Sequence, residues 1–150
     1  MRKGCVLAVF LLVALNLGQA SAQSNASIVA GEITQPLTAT PGDPLRGRGI
    51  VTSRQTGLCI LCHSGPFPEE RFQGNLAPEL SASVARYTAP QLRARIVNSS
   101  YFHPNTIMPT YFSVDHLNRV APKFMGQTIL NGQEIEDVVA FLLTLNSSKP

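Results

Sequence analysis

The chain has 150 residues, with 12 lysines and arginines against 9 aspartates and glutamates, for a formal net charge of +3. That length supports one domain, and an apolar content of 44% suffices for an ordinary globular core. With 14% charged residues, no tryptophan and no long run of like charge, neither an acidic disordered tail nor a nucleic-acid-binding face is expected.

The first element is a removable one. Arg2 and Lys3 precede eleven consecutive apolar residues from Cys5 to Leu15, and the stretch ends in Ala20-Ser21-Ala22. This is the order of a secretory signal peptide, and the apolar run is shorter than the roughly 20 residues a bilayer span needs. Residues 1–22 are therefore expected to be cleaved, leaving 128 residues, a net charge of +1 and two cysteines, Cys59 and Cys62. The product would be exported, with no membrane attachment after cleavage. Residues 23–42, rich in Ser, Thr, Ala, Pro and Gly, read as an extended N-terminal arm that need not fold alone, either disordered or, by a slight preference, wrapping a partner subunit. Residues 43–150 then form the folded domain.

Asp43 and Pro44 supply an N-cap and a first-turn proline for a short helix reaching about Gln55. Gly47 and Gly49 inside it cost roughly 1 kcal/mol each relative to alanine, which close approach by another helix would offset. A loop follows over 65–78. Thr88-Ala89-Pro90-Gln91 reads as a capping box, with an apolar stripe at Leu92, Ile96 and Val97 that Asn98-Ser99-Ser100 breaks. Residues 101–130 show X-Pro turns and little periodicity. The last helix is the clearest: Asn131 and Glu134 form a cap pair, and Ile135, Val138, Val139, Leu142 and Leu145 share one face. Three helices separated by Pro-rich loops make a poor core alone, so something besides side chains is expected to fill the middle.

Cys59-Ile60-Leu61-Cys62-His63 is C-x-x-C-H, the attachment sequence of c-type haem. Two thiols one turn apart can add to the two vinyl groups on one side of a porphyrin, and the adjacent imidazole can turn onto the iron. A thioredoxin-like motif needs a βαβ pattern, and a zinc site a second ligand pair; neither is present. One haem c is thus expected, with Cys59 and Cys62 as anchors and His63 as proximal ligand. The sixth ligand has four candidates: Met108, Met125, His103 and His116. Met108 is favoured because Pro109 keeps it out of helical geometry, which suits presentation from an extended loop. A His/Met pair would raise the reduction potential relative to bis-His.

These residues, with the loop Asn75-Leu76-Ala77-Pro78-Glu79-Leu80 and the capped last helix, resemble class I cytochromes c. Residues 42–51, 54–66, 106–111, 117–122 and 133–142 resemble the SoxX family more closely, so the likeness covers the chain from residue 42 onward. The resemblance implies an all-α class I cytochrome c fold, three or more helices around one covalent haem. It also implies a heterodimer with a SoxA-like haem subunit, in which thiosulfate is oxidatively joined to a cysteine of the carrier SoxYZ. This chain would relay the electrons to a small cytochrome c and supply no catalytic residue, both mature cysteines being taken by the haem. Met108 would be the distal ligand, and Pro78 the proline whose carbonyl accepts from the proximal His Nδ1. Phe141 would pack the last helix against the Gly47/Gly49 helix.

Other features have plainer readings. Arg86 and Arg93 suit either a haem propionate or a solvated helix face. Tyr101, Phe102, Tyr111 and Phe112 flank the ligand loop and are expected to line the haem pocket. Asn25, Asn98 and Asn146 begin chance matches to the N-glycosylation pattern. Two rival functions remain open: a free-standing periplasmic electron shuttle, and an enzyme or sensor with an open sixth iron position.

Overall fold

The computed structural model describes residues 26–115 and 117–146. The expected signal peptide, the first residues of the arm, and His116 lie outside the described residues. Among those described there are four α-helices and no named strand: α1 (Pro44–Thr52), α2 (Leu80–Val84), α3 (Ala89–Val97) and α4 (Gly132–Asn146). Short 3-10 turns at Cys59–Leu61, Ser99–Tyr101 and Pro122–Phe124 join them. No described helix is long and apolar enough to cross a membrane.

Local chemistry explains where each helix begins. Asp43 accepts from the amides of Leu45 and Arg46, and Pro44 presets the first turn of α1. The Thr88/Gln91 capping box opens α3. At α4 the Asn131 side chain accepts from the Glu134 amide at 3.0 Å, while Glu134 accepts from the Asn131 amide at 2.8 Å. α1 stops at Thr52, one turn short of the expected Gln55, because Ser53 turns extended and its hydroxyl accepts from the Thr56 amide. The five-residue α2 was not anticipated. Glu79 caps it by accepting from the Ala82 amide, and burial of Leu80 and Val84 holds it, a pattern too short to show periodicity.

α4 is the organising element, with α1, α2 and α3 all packed on it. Ile135, Val138, Val139, Leu142 and Leu145 are buried as its stripe predicted. The α1–α4 crossing is closest at Gly47, where an added Cβ would stand 1.9 Å from the Asp137 carbonyl oxygen. Phe141 lies beside that contact and packs on Phe67 with ring centroids 5.9 Å apart. Gly49 does not share the role, since a Cβ there would meet nothing within 4 Å. The second close approach falls on Gly42 instead, against the Glu136 carbonyl.

Two ion pairs tie distant segments to α4. The first corrects both readings of Arg93. It is neither solvated nor free for a propionate, but buried at 4% exposure, with Nε and Nη2 donating to Glu136 at 2.6 and 2.8 Å. Its Nη1 donates to the Ile33 carbonyl, and the Leu37 amide donates to Glu136. The described part of the arm therefore wraps this domain's own α3 and α4, with Ile33 buried beneath it.

The second pair is Arg46–Asp137. Both Arg46 Nε and Nη2 donate to Asp137, which also accepts from the Asp43 amide and from Gln133. The Arg46 guanidinium foremost holds the Asp137 carboxyl at about 2, against its ordinary 3.8. A carboxylate whose pKa falls on folding stabilises the fold above the unfolded value and loses that contribution as pH drops through the folded one. Stability in urea is expected to fall by of order 1–2 kcal/mol between about pH 4 and pH 2, the solvent exposure of Arg46 reducing the full linkage value. Asp137→Asn should flatten that slope, and an unchanged slope would place the acid sensitivity elsewhere.

Candidate functional site

The Cys59–Cys62 turn is held from several sides. Leu58 enters it in the left-handed region at φ 62°, and the amides of Cys62 and His63 both donate to the Cys59 carbonyl. Ile60, fully buried, anchors the turn in the core. The loop that follows folds back over it, with the Gly74 amide donating to Ile60 and the Ala77 amide to Cys62. A Cβ at Gly74 would lie 2.3 Å from the Leu61 carbonyl oxygen, so only glycine lets this return pass. Gln73 pins the loop by accepting from the Gly65 amide and donating to the Phe67 and Glu70 carbonyls.

That return brings Pro78 to His63. The His63 Nδ1 lies 2.7 Å from the Pro78 carbonyl oxygen. A carbonyl only accepts, so Nδ1 carries a proton, and it is Nε2 that has the lone pair in the neutral ring. The two cysteines are free thiols rather than a disulfide. Cys59 Sγ donates to the Gly57 carbonyl at 3.3 Å, and burial pushes its pKa up to about 11. The Tyr111 hydroxyl donates to the same carbonyl at 2.7 Å, and burial raises its pKa as well.

Cys59, Cys62, His63, Pro78, Met108 and Tyr111 line one cavity of about 470 Å³. Its remaining walls are mainly apolar, including Val51, Leu58, Leu80, Ile96, Val138 and Leu142 from all parts of the chain. No charged side chain lines it. Among the described residues no group of three or more His, Cys, Asp or Glu is placed to hold a metal ion. A bare ion is therefore a poor fit. A flat apolar macrocycle that brings its own nitrogen ligands fits well, because the wall offers one imidazole lone pair, one thioether and two adjacent thiols.

The other expectations divide. Met125 is 68% exposed and sits in a separate hollow with Val114, Leu117 and Phe124, away from His63. His103 is exposed and outside the cavity wall. Of the four aromatics expected to line the pocket, only Tyr111 does so. Phe102 instead stacks edge-on with Tyr101 and carries the Arg95 guanidinium, which Tyr87 covers from its other ring contact. The Arg86 guanidinium lies over the Tyr87 ring, not at the cavity. Sequence reasoning missed Ser99, a polar residue in a helix-breaking triplet whose hydroxyl reaches the Met108 carbonyl at 2.6 Å. No spacing signal marks such a tertiary contact.

No protein-family model matches the chain, and no curated protein does. Among solved structures it is similar to SoxXA from P. pantotrophus, at a TM-score of 0.75 and 36% identity. The match covers 84% of this chain and 98% of that one. At that identity over nearly the whole matched chain, the protein belongs to the SoxX family and has its small all-α cytochrome c fold.

Proposed function

We propose that this protein is a periplasmic haem c subunit that takes up and relays electrons within a SoxA-containing heterodimer. The observation that carries the reading is the His63–Pro78 bond set into an apolar cavity that Cys59, Cys62 and Met108 also line. In the proposal Cys59 and Cys62 would hold the haem through thioethers, and His63 and Met108 would ligate its iron. When bound, the haem supplies a one-electron couple whose potential a His/Met pair sets high, as suits an electron acceptor.

The protein's own residues do the rest. The Pro78 carbonyl fixes the imidazole orientation and raises the basicity of Nε2. The apolar walls from α1, α3 and α4 exclude water, which lowers the local dielectric and limits reorganisation around a change of charge. The relayed electrons would come from the coupling of thiosulfate to a cysteine of SoxYZ and pass to a small cytochrome c. No residue here offers itself as the sulfur nucleophile, since both mature cysteines are anchors in this reading. Likeness to a structure of SoxXA supports the assembly. Export through cleavage near Ala22 supplies the compartment.

Purification of the haem-stained species from periplasm at native expression tests this directly. Co-elution with a second haem-bearing subunit, and thiosulfate-dependent reduction of this haem only when SoxYZ is present, are the expected results. A lone species of monomer mass would favour the free shuttle instead.

A further inference from the structure

We infer that Ser99 is the positioning residue for Met108: its hydroxyl ties the Met108–Pro109 backbone to the end of α3 and so holds the thioether at the cavity. The inference rests on the reading of Met108 as distal ligand. Ser99 is buried at 7% exposure, in the 3-10 turn Ser99–Tyr101 directly after α3. Its Oγ donates to the Met108 carbonyl at 2.6 Å and lies 3.3 Å from that of Pro109.

The dipeptide has few other ways to be fixed. Pro109 has no N–H, and the Met108 amide donates to Thr106 Oγ1 within the same loop. The next attachments come at the Tyr111 and Phe112 amides, which donate to the Ile96 and Val97 carbonyls. Ser99 is thus the tie to a helix at the ligand residue itself. Its own turn is anchored separately, because the Asn98 side chain accepts from the Tyr101 amide and from the Ser100 hydroxyl. A rigid turn therefore offers a fixed donor to a loop that would otherwise swing. A flexible ligand loop spends more time detached, and a competing ligand binds in proportion to that detached fraction.

The test uses haem-loaded wild type, Ser99→Ala, Ser99→Thr, Ser100→Ala and Met108→Ala. Imidazole binding to the ferric form and the sulfur-to-iron charge-transfer band are followed in each. Loss of one buried neutral hydrogen bond corresponds to a roughly two- to twelvefold rise in the detached fraction. Ser99→Ala should bind imidazole tighter by that factor and weaken the band, with Ser99→Thr restored towards wild type. Ser100→Ala removes a hydroxyl from the same turn that does not reach Met108, leaves the Asn98–Tyr101 tie in place, and should leave imidazole binding unchanged.

Equal shifts in Ser99→Ala and Ser100→Ala would overturn the inference, as would wild-type behaviour of Ser99→Ala. A wild type with no charge-transfer band and no response to Met108→Ala would instead overturn the ligand reading itself. The failures of the two are therefore distinguishable.

Discussion

With Met108→Ala the ferric haem protein is expected to bind imidazole about a hundredfold more tightly, and the ferrous protein to take up carbon monoxide readily. The size follows from population arithmetic. A sixth position occupied by the protein's own thioether for about 99% of the time weakens a competitor by that same factor, and removing the thioether returns it. The geometry makes the prediction specific to one methionine. Met108 lies in the cavity wall with His63, whereas Met125 is 68% exposed in a different hollow. Met125→Ala should therefore change neither binding nor the charge-transfer band. A Met108→Ala protein indistinguishable from wild type would leave the sixth position open or otherwise filled, and the sensor or enzyme reading would regain standing.

Glu136→Ala should cost about 3–5 kcal/mol of stability, the largest loss expected from a change outside the cavity. Glu136 accepts two hydrogen bonds from Arg93 and one from the Leu37 amide. Its removal leaves a guanidinium at 4% exposure without its counter-ion and a backbone donor without its acceptor. For a domain of this size, whose total stability is about 5–15 kcal/mol, such a loss should lower Tm by about 10–20 °C. Replacing both partners, as Arg93→Met with Glu136→Leu, should recover most of it, since the desolvation cost of the pair then disappears. Urea unfolding of the three haem-loaded proteins measures this. A loss under about 1 kcal/mol in the single variant would mean that water reaches the pair in solution.

The glycines and arginines show where sequence reading reached its limit. Gly47 and Gly49 look alike in the chain, two small residues in one short helix. Only the crossing of α1 over α4 separates them, leaving one under the Asp137 carbonyl and the other facing open space. Arg86 and Arg93 likewise looked interchangeable. One guanidinium lies over an aromatic ring, while the other is buried against Glu136, 43 positions along the chain. Partners so distant leave no trace in local spacing. The arm is fixed by equally distant partners. Its composition indicated weak intrinsic structure, and its order comes from acceptors on α3 and α4.

What the sequence by itself determined is what depends on neighbours along the chain. The caps of α1, α3 and α4, the apolar stripe of α4 and the one-turn spacing of Cys59, Cys62 and His63 are all local patterns with local physical causes. The family likeness was legible through such blocks too. Tertiary structure alone decided that Ser99 holds the Met108 backbone, and that Tyr111 and Cys59 meet at the Gly57 carbonyl. Those contacts arise only when loops with no periodicity of their own close over α4, because burial and hydrogen-bond satisfaction are properties of the packed chain.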